Sequence, residues 1–190
     1  EISEFKKHLE IPEEAIIGLY CGAIYSEKEI AFLNDCLPKI KAQIPEFYFI
    51  FAGAGPDQKL VEDFCQEHDW STYLGPIFDK EKSLCFSSTS VILNPGLVGL
   101  GVLDCFAAGK AMITTNYPKH SPEADYIINK QNGIISSFNQ EAYIEAVVSI
   151  ISNDATLKTI SENAQLSASH YSIENMAYNF AEGIQQALEQ

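Results

Sequence analysis

The sequence predicts an α/β domain: a doubly wound, mostly parallel sheet with helices on both faces and a helical C-terminus. Three observations lead there. Short apolar runs alternate along the chain with segments whose apolar residues recur at helical spacing. The runs do not alternate polar with apolar, so they read as strands buried on both sides. Glycine turns follow Cys21, Ala52, Leu74 and Leu93, which places all of them at the carboxyl edge of such a sheet.

The first strand is Ile16 to Gly22. A helix follows over Glu27 to Ile44, with Ile30, Leu33, Leu37, Ile40 and Ile44 on one stripe and an expected kink at Pro38. Phe47 to Ala52 is the second strand, closed by Gly53-Ala54-Gly55-Pro56. The next helix spans Asp57 to His68, with Leu60, Val61 and Phe64 facing inward and Asp57 at its start. Ser71 to Leu74 is a short strand ended by Gly75-Pro76, and Asp79 to Phe86 a short helix. Strands are expected at Ser90–Leu93, Ala111–Thr115 and Gly133–Ile135, with a loop through Asn116, Pro118 and Pro122. Helices over Gln140–Ile151, Ala155–Ser167 and Ile173–Leu188 finish the chain. The last carries Ile173, Met176, Ala177, Phe180, Ile184 and Leu188 on one stripe.

At 190 residues and 46% apolar content, residues 1–190 form one globular domain with a real core. The formal net charge of −14 argues against a nucleic-acid or anionic-membrane surface, which needs clustered Lys and Arg. An anion must then be held by local devices, backbone amides and one or two cations. Cys21, Cys36, Cys65, Cys85 and Cys105 are odd in number and widely spaced, so they read as free thiols in a reducing compartment. The four histidines also lack metal-ligand spacing. The charged segment Glu1 to Glu10 carries no signal peptide, and its abrupt start suits a piece of a longer protein. A cytoplasmic location is expected. The apolar stretch Val91 to Thr114 divides into strand, helix and strand, and is not read as a membrane span.

The most informative segment is Asn94-Pro95-Gly96-Leu97-Val98-Gly99-Leu100-Gly101, running into Val102 to Gly109. It reads as a strand end, a glycine-rich turn and a helix start, which aims free N–H groups at a phosphate. The bland alternative is glycine for tight helix–sheet packing. Asp104 lies in an otherwise apolar helical run and either meets a sugar hydroxyl or faces water. Lys28 is either a solvated lysine of Glu27-Lys28-Glu29 or a phosphate ligand just past a strand-end turn. His120 is either a ligand contact or a plain loop histidine.

Taken in order, these pieces resemble the C-terminal, nucleotide-sugar-binding half of retaining GT-B glycosyltransferases of the family 4 (group 1) type. The matching parts are Gly22 to Lys28, Phe49 to Pro56, Leu74 to Ile77, Asn94 to Gly101, Gly109 to Thr115, Pro122-Glu123 and Asn132-Gly133. The resemblance implies a Rossmann-like fold and a donor site at Gly22, Lys28, Gly53, Gly75, Ile77, Gly99, Leu100, Gly101, Asp104 and Glu123. Lys28 would meet the donor diphosphate, and the Gly99–Gly101 amides would hold phosphate. Asp104 would grip ribose hydroxyls, and the backbone from Gly75 to Phe78 would contact the nucleobase. It further implies a UDP- or GDP-linked sugar as substrate, no cofactor, and no metal, since no Asp-x-Asp motif exists. A glycan or glycolipid acceptor would bind an N-terminal domain absent from this chain. Catalytic residues stay unassigned.

Two positions depart from that family. Its arginine five residues before the lysine is Ala23 here, and the first of its paired glutamates is Gly96. Losing the arginine removes a bidentate phosphate donor. A non-catalytic nucleotide-sugar-binding or scaffolding module is therefore the main alternative. A dinucleotide-dependent oxidoreductase ranks lower, because Gln58 stands where a third glycine would follow Gly53 and Gly55. A sugar-nucleotide epimerase is a minor possibility.

Overall fold

A computed structural model of the protein describes residues 1–189. Among them, β1 (Ile16–Cys21), β2 (Phe47–Ala52), β3 (Ser71–Tyr73), β4 (Val91–Leu93), β5 (Ala111–Thr115) and β6 (Gly133–Ser136) form one six-stranded sheet. Every pairing is parallel, and the order is β3-β2-β1-β4-β5-β6. The chain winds outward from β1 through β2 to β3, then returns to place β4 beside β1 and winds the other way. This reversal opens a crevice at the carboxyl ends of β1 and β4.

Strand alternation divides the core in two. Phe47, Phe49 and Phe51 of β2 point to one face, against α2 (Ile30–Gln43), α3 (Gln58–Glu67) and α6 (Gln140–Ile151). Tyr48 and Ile50 point to the other, against α4 (Asp79–Ser88) and α5 (Gly101–Ala107), with α1 (Ile2–His8) at its margin. All three phenylalanines are fully buried, and each such burial contributes about 1.5–3 kcal/mol. α7 (Asp154–Ala168) buries Ile160 and Ala164. Side-chain caps start the last three helices: Asn139 accepts from the Ala142 amide, Asn153 from Thr156 and Ser172 from Asn175.

The structure differs from the sequence reading at a few points. Residues 26–28 form a 3-10 turn, and α2 begins only at Ile30, after Glu29 in the left-handed region at φ 57°. That turn lets Lys28 point inward. α2 then runs as one helix through Pro38. Leu60 is 42% exposed rather than inward. Val61 and Phe64 set the buried face of α3, and Leu60 lies a helical step of about 100° to its side. Asp57 occupies the start of α3, but its side chain caps nothing. α8 (Ile173–Leu188) has the predicted bounds, yet buries none of its residues.

Candidate functional site

A pocket of about 630 Å³ opens where the strand order reverses. Eight of the ten expected site residues line it: Gly22, Lys28, Gly53, Ile77, Gly99, Leu100, Gly101 and Asp104. They come from the ends of β1, β2 and β4, the turn after β3 and the start of α5. Gly75 and Glu123 are not in its lining. Gly75 instead makes a left-handed turn at φ +69°, and its carbonyl accepts from the Gly53 amide at 2.8 Å. Gly53 itself has φ +136°, and a Cβ there would lie 1.8 Å from the Gly22 carbonyl oxygen. A side chain at Gly53 would therefore pry the first two strand-end turns apart.

The loop from Asn94 to Gly99 is tied down on its inner side. Thr115 Oγ1 donates to the Pro95 carbonyl at 2.6 Å, Lys28 Nζ to Leu97 at 2.6 Å, and Ser121 Oγ to Val98. The Leu97 amide donates to the Glu27 carbonyl at 2.8 Å. With those groups engaged, the amides of Gly99, Leu100 and Gly101 have no acceptor among the described residues and border the pocket. They form a donor cluster fixed before any ligand arrives. α5 has only seven residues, so its dipole adds less than a long helix would, and the cations on the pocket wall are Lys28 and Lys82.

Lys28 is not a solvated lysine. It is 8% exposed, and a Cβ on Gly99 would stand 3.8 Å from its Nζ. Burial holds its ammonium below the usual lysine value, with Glu123 opposing that shift. Glu123 sits in the 3-10 turn Pro122–Tyr126. Ser121 and its own amide hold its carboxyl below the ordinary range, and Lys28 adds to this. Glu123 does not line the pocket, and its Oε2 is buried with no hydrogen-bond partner among the described residues. Cys21 also lines the pocket, and burial pushes its thiol up to about 11, so it remains neutral at pH 7.

Asp104 lines the pocket, and its Oδ2 accepts from Lys82 Nζ of α4 at 2.8 Å. Lys82 was invisible as a site residue in the sequence. Only the packing of α4 beside α5 brings it there. Asn94 was missed as well: it is buried on the pocket wall, and its Oδ1 has no hydrogen-bond partner among the described residues.

The structure explains the glycine at position 96. A Cβ on Gly96 would fall 2.4 Å from the Glu27 carbonyl oxygen and 2.5 Å from the Lys28 carbonyl carbon. The Lys28 backbone fills the space a glutamate side chain would need. Ala23 lies on the pocket wall, its carbonyl held by the Tyr20 hydroxyl at 2.6 Å. His120 is committed to structure. Its Nδ1 accepts from the Val98 amide at 3.1 Å, and Nε2 lies 2.7 Å from the Thr115 carbonyl, as the neutral Nε2–H tautomer requires.

Residues 1–167 match the family of glycosyl transferases group 1. The chain belongs to that family. Alpha-monoglucosyldiacylglycerol synthase of Acholeplasma laidlawii is a relative, 25% identical over 181 residues that span 92% of this chain and 44% of the synthase. Among solved structures, Anabaena HepE in complex with UDP and glucose superposes with a TM-score of 0.80 at 15% identity, over 97% of this chain and 52% of HepE. Sucrose-phosphate synthase of Thermosynechococcus elongatus gives 0.78 at 21% identity, over 98% of this chain and 49% of the synthase. At such identities the likeness is one of fold, and this group 1 chain has the architecture of one half of a GT-B enzyme. It spans about half the length of the proteins it matches. Among the described residues no helix is long and apolar enough to cross a membrane.

Proposed function

We propose that the chain is the donor-binding half of a retaining glycosyltransferase, which moves a sugar from a nucleoside-diphosphate sugar to an acceptor hydroxyl. One observation carries this: the preset amides of Gly99, Leu100 and Gly101 and the buried ammonium of Lys28 converge on one pocket at the reversal of strand order. When the sugar leaves, negative charge grows on the departing diphosphate. Donors already aimed at that charge lower the barrier without reorganising. Asp104 supplies an acceptor for the ribose, and Ile77 and Phe78 border the place for the base. HepE in complex with UDP and glucose supports UDP as the first nucleotide to try, with GDP second. The name of the Acholeplasma synthase, whose product is a glucosylated diacylglycerol, supports a lipid hydroxyl such as that of diacylglycerol among the acceptors to test.

The acceptor belongs to a second, N-terminal domain in this proposal, and the isolated chain does not turn over efficiently. The bare apolar stripe of α8 and the half-length match to relatives support such a partner domain. The whole protein acts in the cytoplasm, with any membrane association residing in that other half. The lack of side-chain room at Gly96 favours one second reading, a module that binds nucleotide sugars without transferring them.

Thermal-shift titration with UDP, GDP, ADP and NADH tests the proposal. Saturation at about 100 times Kd adds about 2.7 kcal/mol, or about 5–10 °C for a domain of this size. A shift with one nucleoside diphosphate, lost in Lys28→Met, is the expected result. A shift with NADH alone overturns it. Binding without sugar transfer by the complete protein establishes the second reading.

A further inference from the structure

Lys82 and Asp104 belong to different helices, α4 and α5, and their side chains meet at 2.8 Å on the wall of the pocket. They are 35% and 43% exposed. On the far side of the pair, a groove of about 290 Å³ runs between the same helices past Phe86 and Ala108. The Lys82 ammonium lies 5.9 Å from the centre of the Phe86 ring, which gives its alkyl stem an apolar support. Lys59–Asp63 and Lys158–Glu162 differ in kind, being one-turn pairs on the exposed sides of single helices.

Stability does not account for the Lys82–Asp104 pair. A half-exposed ion pair contributes about 0–1 kcal/mol. α4 and α5 are already joined through Cys85, Phe86, Val102 and Phe106, all buried in one cluster. What the pair does fix is direction. A half-exposed aspartate alone samples several rotamers, and each choice aims its oxygens differently. Lys82 takes one acceptor position on Oδ2, and no other described residue hydrogen-bonds the carboxylate, so both oxygens keep acceptor capacity for a ligand. It also offsets a negative charge that would otherwise repel a diphosphate nearby, in a chain already at −14.

We propose that Lys82 is a positioning residue: it holds Asp104 so that the carboxylate meets a vicinal diol, making the pocket selective for ribonucleotides over deoxyribonucleotides. This rests on the nucleoside-diphosphate reading given above. A carboxylate offers only acceptors, and two adjacent ribose hydroxyls offer two donors at matching spacing. Leucine or methionine at position 82 would leave the diol acceptor present but unaimed.

Isothermal titration of UDP against 2′-deoxy-UDP, and of GDP against 2′-deoxy-GDP, tests this in the wild-type protein, Lys82→Met, Lys82→Arg and Asp104→Asn. A hydrogen bond to a charged group is strong enough that the wild type prefers the ribonucleotide by about tenfold. Lys82→Met brings that preference within about twofold, Asp104→Asn does the same, and Lys82→Arg keeps most of it. If Lys82→Met weakens both forms equally and leaves the ratio intact, the lysine acts only as a charge and the proposal fails. If the wild type binds nucleoside diphosphates but does not distinguish ribose from deoxyribose, the proposal fails while the pocket reading stands. If neither nucleotide binds the wild type, both fall together.

Discussion

The loop from Asn94 to Gly101 and the helix α8 are opposite extremes of one chain. Within the loop, the carbonyls of Pro95, Leu97 and Val98 and the amides of Leu97 and Val98 all have partners, drawn from Thr115, Lys28, Ser121, Glu27 and His120. α8 has a well-formed N-cap at Ser172 and a clear apolar stripe, yet Ile173, Met176, Phe180 and Leu188 are each at least 66% exposed. The family match ends at residue 167, before α8 begins. The contrast separates a segment whose hydrogen bonds close within the described fold from one whose apolar side chains find no packing partner there. The free amides of Gly99, Leu100 and Gly101 are held in place here, because the hydrogen-bond supports of their loop lie within the same fold. An apolar stripe of this size on a stable helix has no such support.

The largest expected effect comes from filling the space at Gly96. Gly96→Ala forces the loop off the Lys28 backbone and costs about 1–3 kcal/mol, read as a fall of about 3–10 °C in Tm, with loss of nucleotide binding. Gly96→Glu, which restores the residue type usual in the family, is expected to do worse rather than better. An unchanged Tm in both variants would mean that the loop is slack, and the contrast with α8 would vanish.

Lys28→Met comes next. Calorimetry should show nucleoside-diphosphate affinity reduced about ten- to hundredfold. The pH dependence has a definite sign. Burial lowers the Lys28 pKa in the folded chain, so the ammonium is complete below that pKa and is lost as pH rises through it. Affinity should therefore fall on the acid side of the ordinary lysine value, and that fall should be absent in Lys28→Met. Stability moves oppositely. The unfolded chain binds the proton more tightly, so the cost of the buried charge is present at neutral pH and fades as pH rises through the same window.

His120→Ala removes the clamp on the Val98 amide and the Thr115 carbonyl. Chemical unfolding should register about 1–2 kcal/mol. A change in affinity without a change in stability would instead make His120 a ligand contact. The smallest effect belongs to ending the chain after Ser172. Without α8, unfolding free energy in the isolated chain should move by about 0.5 kcal/mol or less, and solubility should rise. A large drop would show that α8 packs onto this domain in solution.

Much of this molecule was legible in its residues. Buried apolar runs, glycine turns and helical stripes set the elements and the parallel sheet, because side-chain period and turn chemistry are local properties. The family resemblance, laid over those glycine turns, marked eight pocket residues, and loops at the carboxyl ends of parallel strands converge by topology. Local signals could not say which way a loop side chain turns. Lys28 looked like one charge among several, and only the 3-10 turn at 26–28 shows it pointing inward. Glu123 and Gly75 carry the expected residue types but do not line the pocket; Gly75 is joined to it through the Gly53 amide.

What the sequence determined alone is the order of elements, their amphipathic faces and the glycine positions. Those depend on neighbours within a turn or two. What tertiary structure decided is every relation across long separations. Lys28 meets Leu97, 69 residues away, and Lys82 meets Asp104 from an adjacent helix. His120 is spent on holding a loop, and the backbone of Lys28 denies a side chain to position 96. Such contacts arise only when separate strand ends and helix starts are packed at one sheet edge, and no local periodicity encodes them.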